Sequence, residues 1–127
     1  MKRYDKSIIE ELKKAIYYSG IHDARLAEIK HDYETKSLCV RASEYGRDRE
    51  IKLIFTGVEF VLYTHSNEWP GFDEKTIISF SAEDDYSHLN RYIKYDAGDN
   101  VIYVLFQMLN GDELHIVSRT VEIQREN

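Results

Sequence analysis

The side chains able to do chemistry are few and scattered. His22 and Asp23 are adjacent, and a neighbouring imidazole and carboxylate can share a divalent metal or pass a proton. A metal-dependent hydrolase built on such a pair needs further ligands on helices, and none is suitably spaced here. The simpler reading has one of the two bonded to backbone groups where a helix ends. Asp84, Asp85 and His88 fall at helical spacing, with Asp84 and His88 on one face. A metal would want another ligand, such as Glu83 or His65, whereas acids at a helix start also favour its positive dipole end with no further role. Cys39 lies in an alternating run between Leu38 and Val40, with no base or helix N-terminus in view to activate it, and reads as structural. No phosphate loop, dinucleotide fingerprint, nucleophile elbow or zinc spacing occurs. The residues therefore argue for no catalytic residue, no metal and no cofactor, with a hydrolase around His22 and Asp23 as the weakest alternative.

Charge carries more information than any motif. The net charge is −6, and Ser66 to His88 holds six acids against the single Lys75. Such a balance argues against nucleic-acid binding, which depends on neutralising phosphates. The run is either a solvated loop or a docking face for a basic protein. Trp69-Pro70-Gly71-Phe72 lies inside it. Trp69 and Phe72 either anchor a partner, as aromatic hot spots do, or fold back to plug an open end of the sheet. The residues expected at a partner surface are Glu68, Trp69, Phe72, Asp73, Glu74, Glu83, Asp84 and Asp85.

Those residues need a frame. Ser7-Ile8-Ile9-Glu10 fits a capping box, opened by Asp5 or Ser7, and Ile8, Ile9, Leu12, Ala15 and Ile16 form a one-sided stripe, which predicts a helix over about 7–19 closed by Gly20. From Ala24 the period becomes two. Ala24, Leu26 and Ile29 predict a strand with a bulge near Glu28, and Leu38, Val40 and Ala42 predict its hairpin partner. Ile51, Leu53 and Phe55 alternate, then Val58, Phe60 and Leu62 resume on a shifted phase. Thr56-Gly57 thus bends one long strand or joins two. Thr76–Ser81 reads as a short strand, and 82–95 could hold one or two helical turns. Val101–Leu109 is almost continuously apolar, as suits a central strand covered on both faces. Asn110-Gly111 predicts a type I′ hairpin turn. In the last strand, Glu113–Gln124, the parity changes between Ile116 and Val121, which hints at another bulge.

At 127 residues the chain fits one domain, 1–127, with its β-rich part over about 24–124. The expected class is α+β: an N-terminal helix packed on one curled, mainly antiparallel sheet of six to seven strands. No segment is apolar enough to span a bilayer as a helix, no basic-apolar leader opens the chain, and the expected location is the cytoplasm. The run His22-Asp23-Ala24-Arg25-Leu26, the hairpin after it and the strand Glu113-Leu114-His115-Ile116-Val117 resemble a group of small bacterial β-rich domains. Some of these resemble immunity proteins that neutralise toxins of competing bacteria. The resemblance implies a non-enzymatic cytosolic binding protein, with an immunity-type inhibitor of a basic toxin as its specific form. The alternative is a β-fold that holds a small apolar ligand in a pocket lined by tyrosines.

Overall fold

A computed structural model describes residues 2–44, 49–66, 76–84, 87–94 and 100–126. Two-residue strand β1 (Arg3–Tyr4) leads to a single 3₁₀ turn (Lys6–Ile8) and helix α1 (Ile9–Tyr18). The capping box does not form. Asp5 takes its place: its carboxylate accepts the Ser7 amide at 2.9 Å and the Ser7 hydroxyl, which tightens the first turn to 3₁₀ and starts the α-helix at Ile9. Leu12 and Ile16, one turn apart, are the helix residues buried in the core.

Among the described residues the strands form two antiparallel sheets, one of five strands and one of four. The first runs β1, β9 (Thr120–Glu126), β4 (Glu50–Thr56), β3 (Ser37–Ser43), β2 (Arg25–Asp32). The second runs β5 (Phe60–Thr64), β8 (Glu113–Ser118), β7 (Ile102–Met108), β6 (Ile77–Glu83). The expectation of one curled sheet of six to seven strands is therefore corrected, and the cause is legible in the chain. The phase shifts at Gly57 and before Val121 are crossings from one sheet to the other, β4 to β5 and β8 to β9. The two crossings sit together: the Arg119 amide donates to Thr56 O at 3.1 Å, and the Glu59 amide to Val117 O at 2.8 Å. Gly57 has φ +64°, and a Cβ there would lie 2.9 Å from Arg119 Cγ, so this corner requires glycine twice over. The sheets meet again where the Asp23 amide donates to Ile77 O and the Ile77 amide to Ala24 O, both at 2.8 Å.

Between the sheets, inward residues such as Val40, Leu53, Phe55, Val104, Phe106 and Ile116 are fully buried and pack with Leu12 and Ile16 of the helix. Burial of this kind contributes about 1.5–3 kcal/mol per large side chain. The space between the sheets is thus filled by apolar side chains. Strand β7 is covered on both faces, because a smaller cluster of Leu89, Val101, Tyr103, Leu105 and Val117 lies on its other side. The β2 bulge falls between Leu26 and Glu28, as the alternation indicates.

The Asn110-Gly111 turn is not type I′. Gly111 has φ +92°, but Asn110 does not share the positive φ that type I′ requires. Instead the Gly111 amide donates to Met108 O at 3.0 Å and the Met108 amide to Asp112 O at 2.9 Å, the pattern of an ordinary turn closed by a glycine bulge. Asn110 Oδ1 accepts the Asp112 amide, and that local bond favours the alternative geometry. The ambiguous stretch 82–95 holds the end of β6 and one 3₁₀ turn, Leu89–Arg91, among its described residues.

Candidate functional site

Of the expected partner surface, Glu68, Trp69, Phe72, Asp73, Glu74 and Asp85 lie outside the described residues. Glu83 ends β6 and Asp84 follows it, both exposed. Strand β6 runs beside α1, and Glu83 Oε2 stands 3.4 Å from Lys13 Nζ across the gap. That gap is an open groove of about 700 Å³, lined among others by Ile16, Tyr17, Ile21, Phe80, Ala82 and Glu83. Tyr17 on its rim is 80% exposed and packs edge to face against Tyr18, with centroids 5.1 Å apart. The groove thus sets the exposed Tyr17, with Tyr18 packed on it, beside the Lys13–Glu83 pair at the end of β6. Nothing in the apolar stripe of the helix marks Tyr17 and Tyr18. Their signal is two consecutive tyrosines that the stripe leaves over.

His22 also lines this groove, and its Nδ1 is 3.1 Å from Asp23 Oδ2. Both side chains are largely exposed, with no further acid or base of the described residues paired to either. The backbone bond at this junction comes from the Asp23 amide, not from either side chain, and Asp23 takes φ +71° to make it.

Asp84 and His88 do not share a helical face. His88 turns instead toward the outer face of β7 and β8, where it enters a cluster the sequence reading did not single out. Alternate residues of β8 place Glu113 and His115 on that outer face, and Tyr103 and Gln107 arrive from β7. His115 is completely buried, and its Nδ1 lies 2.6 Å from the Tyr103 hydroxyl. Its Nε2 is 3.3 Å from Glu113 Oε1 without the alignment of a hydrogen bond. Glu113 accepts from the Tyr92 hydroxyl and, at 2.8 Å, from Gln107 Nε2. His88 Nε2, also buried without a hydrogen bond, stands 3.9 Å from Glu113 Oε2. The two imidazoles are near parallel, with centroids 5.8 Å apart.

Burial pushes the His115 imidazole below its ordinary 6.5, only partly opposed by Glu113. Burial pushes Glu113 up, but the hydrogen bonds from Tyr92 and Gln107 and the nearby imidazoles outweigh it and hold the carboxyl below 4.5. Burial, then Glu113 and Tyr92, raise the Tyr103 hydroxyl far above 10.0. The arrangement keeps a neutral imidazole beside a carboxylate, with His115 itself wholly buried on the outer face of the sheet. Among the described residues no group of three His, Cys, Asp or Glu side chains is arranged to hold a metal.

His65 meets a different acid. Its Nδ1 is 3.3 Å from Asp112 Oδ2, while Asp112 also accepts from the Tyr63 hydroxyl at 2.7 Å and the Ser66 amide at 2.9 Å. Asp112 is buried and pins the end of β5 to the β7–β8 turn, whereas the His65 ring is mostly exposed. Cys39 is half-buried in β3, and burial raises its thiol above 9.0, which keeps it protonated and a poor nucleophile. No helix among the described residues is long and apolar enough to cross a membrane. No protein-family model matches the chain, and no curated protein is significantly similar to it.

Proposed function

We propose that this chain is a non-enzymatic binding protein that offers the face formed by α1 and the end of β6 to a basic protein partner. Inhibition of a basic toxin, in the manner of an immunity protein, is its specific form. One observation carries the reading: the groove of about 700 Å³ between α1 and β6 has an apolar floor, an 80% exposed tyrosine at its rim, and a wall where Glu83, met by Lys13, leads on to the exposed Asp84. Exposed tyrosines supply contact area at low entropic cost, and charge complementarity supplies association rate and selects against acidic competitors. The acids between Ser66 and His88, with Glu83 and Asp84 among them, hold nearly all of the net charge of −6. The filled space between the sheets weighs against an enclosed apolar ligand, and among the described residues no further acid or base is paired to the exposed His22 and Asp23.

The test is binding to the basic proteins encoded beside its gene, by calorimetry and by rescue of growth on co-expression. The expected result is a tight one-to-one complex, lost when Tyr17→Ala is combined with Glu83→Lys. A complex formed equally well by that double variant would place the interface elsewhere. Turnover of any substrate that depends on His22 or Asp23 would overturn the non-enzymatic reading.

A further inference from the structure

The turn of the β2–β3 hairpin and the crossing at Gly57 bound a second open groove, of about 1020 Å³. Its floor is apolar, with Ile29, Leu38, Val58 and Val61 among its residues. Tyr33 is 80% exposed in its wall, and its ring rests on His31 with centroids 4.2 Å apart. Lys36, Glu59 and Arg119 line the same groove and are exposed. None of these three belongs to an ion pair among the described residues, whereas Arg3, Arg41 and Arg125 each sit beside a carboxylate.

The backbone under these side chains is fixed. The Val58 amide donates to Lys36 O at 2.9 Å, and the Arg119 amide donates to Thr56 O at 3.1 Å. The aliphatic stem of Arg119 lies against Gly57, in space that any Cβ would take. The missing side chain at position 57 therefore positions the guanidinium stem across the corner. Preorganisation of this kind removes part of the entropy cost that a flexible arginine otherwise pays on binding.

An exposed ring face recruits planar rings, and two unneutralised cations recruit an anion. One acid among them recruits a hydroxyl or amino donor. We propose that this groove binds a small molecule whose planar aromatic ring carries a phosphate nearby, as a nucleotide does. The ring stacks on Tyr33, the phosphate takes Lys36 and Arg119, and Glu59 accepts from a donor group of the same molecule. The net charge of −6 repels an anion at long range, but at physiological salt that repulsion is screened beyond about 8 Å, so the local cations decide. A volume of about 1020 Å³ suffices for a nucleotide-sized ligand.

The test is an amide chemical-shift titration of the full chain with adenosine monophosphate, run beside adenosine alone and inorganic phosphate alone. The expected result is saturable shifts confined to residues 31–36, 57–61 and 119, larger for the nucleotide than for either fragment. Arg119→Ala and Tyr33→Ala, both at exposed side chains, should each weaken binding by about tenfold, and Glu59→Gln should not weaken it by as much. Equal shifts from phosphate alone would mean an adventitious anion only and would overturn the proposal. So would the absence of saturable shifts with the nucleotide, or unchanged affinity in both alanine variants.

Discussion

Replacing Tyr103 by phenylalanine removes one oxygen and tests how the outer face of the second sheet is held. The Tyr103 ring is 2% exposed and its hydroxyl is 2.6 Å from Nδ1 of His115, which is itself wholly buried. Because Nε2 of that imidazole already lacks a hydrogen bond, the substitution leaves both ring nitrogens without one. An orphaned buried polar group costs about 1–3 kcal/mol, while the apolar area that Tyr103 buries is nearly unchanged. For a chain of this length that means a fall in melting temperature of roughly 3–5 °C per kcal/mol. The assay is thermal and urea unfolding of Tyr103→Phe, of His115→Leu and of the pair together at about pH 7, as a double-mutant cycle. The tyrosine substitution should cost much less in the leucine background, where no imidazole remains to be orphaned. Equal costs in both backgrounds, or an unchanged melting temperature for Tyr103→Phe, would mean that the Tyr103 hydroxyl does not hold the buried imidazole.

Acid should weaken the fold through the same cluster. His115 is depressed below 6.5, so just under that pH the unfolded chain binds the proton that the folded chain refuses, and stability falls as pH drops through 6.5. Glu113 is held below 4.5, so its contribution is present above that value and is lost on further acidification. Urea midpoints should fall as pH drops through 6.5 and fall again below 4.5; a flat profile through the first window would contradict the His115 assignment, and one below 4.5 the Glu113 assignment. Gly57→Ala should cost about 1–3 kcal/mol by chemical unfolding, from positive φ and contact with Arg119 combined, and a neutral result would mean the corner can relax. Gly111→Val should cost about the same, since Gly111 keeps φ +92° in the bulged turn, and an unchanged melting temperature would place that strain elsewhere.

How far the chain discloses its own structure varies by element. The helix stripe at Leu12 and Ile16, the β2 bulge before Glu28 and the two-sided burial of β7 are all local patterns, and each is legible as such. The phase shifts at Gly57 and before Val121 are also visible, but a bulge and a crossing between sheets leave the same mark in one strand. Pairings between residues far apart in sequence distinguish them: Thr56 with Thr120 in one sheet and Phe60 with Val117 in the other. The Asn-Gly turn misleads because Asn110 can bond the Asp112 amide, a competition the dipeptide alone does not reveal. Of the candidate surface, only Glu83 and Asp84 fall among the described residues, and both are exposed. The outer-face cluster escapes sequence reasoning because Glu113 and His115 occupy strand positions that look solvent-facing until the segment carrying His88 and Tyr92 covers them, and nothing local pairs them with the buried Tyr103.

The docking face proposed for a basic protein at α1 and β6 is open to association kinetics with such a partner at low and high salt. The expected result is an association rate that falls steeply with salt, a slower and less salt-sensitive rate for Glu83→Lys combined with Asp84→Lys, and faster dissociation for Tyr17→Ala. Association and dissociation rates unchanged in both variants, in protein that remains folded, would contradict it.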